Sequence, residues 1–102
     1  MNEIVQEWIR KADGDFNSAM REYRARNNPN YDSACFHAQQ SIEKYMKAFL
    51  QFNGIEFQKT HDLLALMESC LPVFPQLEMS KEMLAYLSQF AVMFRYPGEF
   101  AD

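Results

Sequence analysis

Between Asn2 and about Arg26, the residues Ile4, Val5, Trp8, Ile9, Ala12, Phe16, Ala19, Met20 and Tyr23 recur at three- and four-residue spacing. At about 100° per residue this gathers them on one broad face and predicts a long amphipathic first helix. Arg21, Arg24 and Arg26 fall in its last turns, where cations complement the negative end of the helix dipole; they read as a solvated helix end. The segment Asn27-Asn-Pro-Asn30 breaks the pattern, because proline restricts the residue before it and asparagine accepts turn conformations. A second helix is predicted from Tyr31–Ser33 to Asn53-Gly54, where glycine can take a left-handed cap. On it Ala34, Cys35, Ala38, Ile42, Tyr45, Met46, Phe49 and Phe52 form the expected core face, and His37, Gln40, Ser41, Lys44 and Gln51 form a polar stripe nearly opposite.

Lys59-Thr-His-Asp62 opens a shorter third helix, with Thr60 as the expected N-cap and Asp62 in the first turn, where the dipole favours a carboxylate. Leu63, Leu64, Leu66 and Met67 supply its core side until Pro72 and Pro75. A fourth helix is predicted from Met79 or Ser80 to Phe94, carrying Met83, Leu84, Leu87, Phe90, Ala91 and Phe94 on one side and stopped by Pro97. No strand-length alternation, repeat or low-complexity stretch interrupts the helical period. The expectation is an all-α fold: an up-and-down antiparallel bundle of four principal helices forming one domain over residues 1–102, with Trp8, Phe16, Ile42, Phe49, Leu63, Leu87 and Phe90 in its core.

A chain of 102 residues, 48% hydrophobic and 15% aromatic, fills one modest core and leaves no room for a second domain. The formal charge of −4 argues against broad electrostatic capture of nucleic acid, so any such contact must be local. Cys35 and Cys70 lack metal-binding or C-x-x-C spacing, and Cys35 reads as a small buried hydrophobe. Nothing at the N-terminus resembles a signal peptide, and no apolar run reaches the ~18 residues of a membrane span. A cytoplasmic protein with neither metal nor cofactor is expected. With three glycines there is no phosphate-cradling loop, and H-E-x-x-H and G-x-S-x-G are absent.

Three groups could carry chemistry. His37, Gln40 and Lys44 stand at i, i+3 and i+7 on one helical row, an imidazole, an amide and an ammonium able to meet a phosphate or a base edge. The plain alternative is a solvated face with a Glu43–Lys47 surface pair. His61 and Asp62 sit where a loop enters a helix, so exposed N–H groups could accept an anion there; alternatively Thr60 and Asp62 simply cap the helix. Arg95 and Tyr96 offer a guanidinium for phosphate and a ring for stacking, or only a compensated helix end before Pro97.

The ordered phrases Phe36–Ala48 (FHAQQSIEKYMKA), Lys59–Leu63 (KTHDL) and Arg95–Gly98 (RYPG) resemble the HEPN family (higher eukaryotes and prokaryotes nucleotide-binding). The resemblance covers nearly the whole chain. It implies a helical bundle, usually a homodimer, often encoded beside a minimal nucleotidyltransferase; some branches are ribonucleases. It also implies a further helix after the Arg-Tyr-Pro phrase, whereas this sequence ends four residues after Gly98. The domain is therefore expected to lack that helix, or to be a fragment, leaving Tyr86 and Met93 in an exposed apolar patch of the kind that becomes an interface.

The family's ribonucleases use an arginine followed, after four to six residues, by histidine. Here the corresponding positions are Asn30, Tyr31 and Asp32 before His37, and Gly54, Ile55 and Glu56 before His61, and no histidine follows Arg95. The family's catalytic residues therefore cannot be carried over. The leading expectation is a non-catalytic HEPN-like module for nucleotide or RNA, dimeric and partnered with a minimal nucleotidyltransferase in a two-component, toxin–antitoxin-like system. The alternatives are a divergent ribonuclease assembling His37, His61 and Arg95, and a structural adaptor without ligand.

Overall fold

The computed structural model describes residues 2–27 and 30–91. Its helices are α1 (Glu3–Arg24), α2 (Tyr31–Phe52), α3 (Leu63–Cys70) and α4 (Lys81–Ser88), with a 3₁₀ segment at Pro75–Ser80 leading into α4. They form an all-α antiparallel bundle, and no strand occurs among the described residues.

Side-chain caps fix where the helices start. Asn2 Oδ1 accepts from Val5 N–H at 2.9 Å, and Asn30 Oδ1 accepts from Ser33 N–H at 2.9 Å. Each satisfies a donor that the first helical turn leaves orphaned. The N-cap of α3 is Asp62, which accepts from Leu64 N–H at 3.0 Å. The expected cap, Thr60, instead accepts from Asp62 N–H at 3.0 Å and shapes the turn before it. After α2, Gly54 takes a φ of 67°, a conformation that costs a side chain but not glycine.

α1 and α2 pack along their length. Val5, Ala12 and Ala19 are the buried residues of α1, and Ala34, Ser41 and Ala48 are buried on α2; each set recurs every seven residues. The contacts of Trp8 with Lys47 and of Tyr23 with Tyr31 define the antiparallel register. That register runs the two seven-residue rows along one shared seam. Small side chains at each level let the two backbones approach closely, and a seven-residue period keeps the seam aligned along both helices. The opposite side of α2 faces α3 and α4, where Met46, Leu50, Leu63, Leu66, Met67, Cys70, Leu84 and Leu87 form the apolar core.

α2 is therefore a central helix with two buried faces, and this corrects the one-faced reading of it. Gln40 and Ser41, expected on a displayed stripe, are buried, while Tyr45 and Phe52, expected in the core, are exposed. Phe16 also leaves the predicted core, at 50% exposure. Among the described elements α1 touches only α2, so its apolar stripe is wider than one helix can cover. Leu63, Leu87 and Phe90 are buried as expected, and Trp8, Ile42 and Phe49 are half-buried. The expected fourth helix starts later, at Lys81, because Pro75 opens a 3₁₀ turn instead. It also stops earlier than expected, at Ser88, with 89–91 in a turn; Met93 and Phe94 lie outside the described residues.

Three substitutions test this packing by urea denaturation. Leu50→Ala, at a fully buried site, should cost about 2–5 kcal/mol. Ala12→Leu should overpack the seam and cost about 1–3 kcal/mol. Gly14, in the middle of α1, has open space where a Cβ would stand, so Gly14→Ala should stabilise by roughly 0.5–1 kcal/mol.

Candidate functional site

Two polar clusters flank α2. The first lies between α1 and α2, where Asp15 of α1 forms an ion pair with Lys44. His37 Nδ1 stands 3.5 Å from the other oxygen of that carboxylate, Asp15 Oδ1, and makes no hydrogen bond. Asp13, one half-turn away, accepts from the Tyr45 hydroxyl, and loss of that proton would cost the bond, so the Tyr45 phenol is pushed up to about 12. The predicted row of His37, Gln40 and Lys44 therefore faces the α1 seam. Lys44 and His37 converge on Asp15, while Gln40 turns inward and donates to Gln39 Oε1 at 2.6 Å.

The second cluster centres on Glu43, whose side chain is 3% exposed. Lys47, one turn later and itself 8% exposed, donates to Glu43 Oε2 at 2.9 Å. Its ammonium also stands 5.4 Å from the centre of the Trp8 ring of α1, within range of a cation–π contact. Gln39 Nε2 donates to Glu43 Oε1 at 3.2 Å and to the His61 carbonyl at 3.0 Å. His61 Nδ1 lies 3.0 Å from Glu43 Oε1. One carboxylate thus joins α2 to the loop that enters α3 and, through Lys47, to α1.

Burial alone would push the Glu43 carboxyl up. The hydrogen bonds from Lys47 and His61, the charge of Lys47 and the Gln39 amide outweigh it and hold the carboxyl below the usual range. An ionised Glu43 can only accept hydrogen bonds, which assigns the Nδ1 proton of His61. The ring is then fixed in orientation, and 44% of the side chain is exposed. A buried carboxylate orienting a partly exposed imidazole is an arrangement suited to binding an anion or moving a proton.

Asp62 is occupied as the α3 cap, and Ser88 Oγ of α4 accepts from Leu63 N–H at 2.9 Å. His37 stands near Asp15, whereas His61 meets Glu43. Their anchors on α2, positions 37 and 43, are about 9 Å apart along the axis and about 120° apart around it. The described residues therefore do not bring the two imidazoles to one point. Arg95 and Tyr96 lie outside the described residues.

Sequence reasoning missed Asp15, Gln39 and the burial of Glu43 and Lys47. The spacing Gln39, Glu43, Lys47 is a second polar row at i, i+4 and i+8, and its closeness to Met46 and Leu50 around the helix was the available signal. Among the described residues, no group of three or more His, Cys, Asp or Glu side chains could hold a metal ion, and no helix is long and apolar enough to cross a membrane.

The family model for the HEPN domain matches residues 5–102. No curated protein and no solved structure matches the chain.

Removing one partner from the buried pair strands the other charge, so Glu43→Gln should cost about 3–5 kcal/mol by thermal or urea unfolding, and Glu43→Leu with Lys47→Met should recover much of that loss. The pH dependence follows from the lowered carboxyl. Its stabilisation is complete above the unfolded value of about 4.3 and is lost as pH falls through the lower folded value. Between about pH 5 and pH 3 the native chain should lose more stability than Glu43→Gln.

Proposed function

The chain belongs to the HEPN domain family, and from that membership and the site's geometry we propose that it is a non-catalytic nucleotide- or RNA-binding module, acting as a homodimer beside a minimal nucleotidyltransferase in a two-component, toxin–antitoxin-like system. The observation that carries the binding role is His61, held by the buried Glu43 and still 44% exposed at the entry to α3. An imidazole fixed in this way meets a phosphate oxygen without first paying for its own ordering. Lys44 and His37 contribute less, because a phosphate must compete there with Asp15.

The absence of cleavage follows from chemistry. No arginine stands at the family's ribonuclease spacing before either histidine, so the guanidinium that would steady the charged transition state is missing from that position. The homodimer is supported by apolar surface on one flank of the α1–α2 hairpin. Val5, Ile9, Tyr45, Ala48, Phe49 and Phe52 line a groove of about 290 Å³ there, and Phe16 is exposed further along α1. Apolar surface of this kind is normally covered by another chain.

Calorimetric titration of nucleotides and short RNAs should show binding that His61→Ala weakens about tenfold, the loss of one charge-assisted contact, with helicity unchanged by circular dichroism. Labelled RNA incubated with the protein should remain intact; metal-independent cleavage abolished by His61→Ala would replace the module with a divergent ribonuclease. Light scattering should give twice the chain mass, and Phe52→Asp should shift it toward the monomer.

A further inference from the structure

The far end of the α1–α2 hairpin holds three of the chain's five arginines within six residues, Arg21, Arg24 and Arg26. All three are exposed. Among the other described cations, Arg10 and Lys11 pair with Glu7, Lys44 with Asp15 and Lys47 with Glu43, while the exposed Lys59 and Lys81 stand singly with no ion pair. Among the described residues no ion pair holds Arg21, Arg24 or Arg26, and the Arg21 guanidinium is steadied instead by the Ser18 hydroxyl at 3.1 Å. A chain with a net charge of −4 thus concentrates uncompensated positive charge at one end.

Asn17, Arg21 and Arg24 stand at i, i+4 and i+7 and share one face of α1. With Met20 they line an open groove of about 420 Å³, large enough to seat a nucleobase with its sugar. Glu22 projects on the other side of the helix by the same 100° rule. About 100° round the helix from Arg24, on the flank toward α2, stand two exposed aromatic rings, Tyr23 at 64% and Tyr31 at 58%. They lie 6.2 Å apart at 60° to each other, one from each helix of the hairpin.

We propose that this end of the hairpin is a second binding site, for single-stranded RNA, in which Arg21 and Arg24 pair with backbone phosphates, Asn17 meets a base edge and Tyr23 and Tyr31 stack on bases. Guanidinium forks and exposed rings are the two elements that a sequence-tolerant single-strand site combines. An amide offers both a donor and an acceptor to a base. The net negative charge disfavours long-range attraction to a membrane surface or an extended duplex and leaves short, local contacts as the available mode. The ligand class agrees with the module reading above, but the residues are different, so the two stand or fall separately.

The test is fluorescence anisotropy of the full chain with a labelled ten-nucleotide oligouridylate. Arg21→Glu with Arg24→Glu should weaken binding at least about tenfold and reduce the salt slope by about 1.4, two phosphate contacts at roughly 0.7 each. Tyr23→Ala with Tyr31→Ala should weaken it at least about fivefold, and this pair decides the matter if the arginine variant fails to fold. Lys81→Glu, an exposed charge change on α4, should leave affinity within about twofold. Binding by the arginine variant equal to that of Lys81→Glu would overturn the proposal, as would no binding to the oligonucleotide, or binding to phosphatidylserine vesicles alone. Affinity lost in Lys44→Ala or His61→Ala but kept in the arginine and tyrosine variants would also overturn it while leaving the module reading intact.

Discussion

Glu43 is ionised and almost completely buried in the middle of the longest-packed helix, and a carboxylate in that position must be surrounded by donors or the fold loses several kcal/mol. Lys47, Gln39 and His61 supply those donors. Each comes with a structural consequence. Lys47 reaches the Trp8 ring and so links α2 to α1. His61 draws the loop after α2 against the helix, and Gln39 fastens the same loop by its backbone carbonyl. From there Asp62 caps α3, and the start of α3 is set by the same few residues that satisfy the charge.

This explains why α2 has two unlike buried faces. Toward α3 and α4 it presents Met46 and Leu50 to an apolar core. Toward α1 it presents Ala34, Ser41 and Ala48, where close backbone approach rather than bulk decides the packing. The polar residues lie along the borders between these faces, partly shielded by α1 on one side and by the α3 entry on the other. Such borders allow a polar side chain to be desolvated and still find a partner. The same construction anchors His61 through Nδ1 while 44% of its side chain stays exposed.

α1 has a different position, covered by one helix only. Its seam against α2 uses the smallest residues of its apolar face, and larger ones such as Ile4 and Phe16 remain outside. Its far end carries charge with no internal partner. Both features lie on the α1–α2 hairpin, whereas the α3–α4 side holds the apolar interior.

The period of apolar residues was enough to identify all four helices, because helical geometry repeats every 3.6 residues whatever the helix packs against. Gly54 marked the end of α2 legibly, since a left-handed turn depends on local residues alone, whereas the α3 cap fell to Asp62 and not to Thr60. The three ordered phrases carried the family. The sequence could not tell which polar residues were displayed. His37, Gln40 and Lys44 stood out as a row, yet the surroundings of His37 and Lys44 depend on Asp15, more than twenty positions away in the chain. Glu43 and Lys47 had the spacing of an ordinary surface pair, and only the loop bearing His61 and the ring of Trp8 bury them. Local periodicity fixes which way a side chain points from its own helix; what lies there is set by contacts between residues distant in sequence, and that belongs to the tertiary structure.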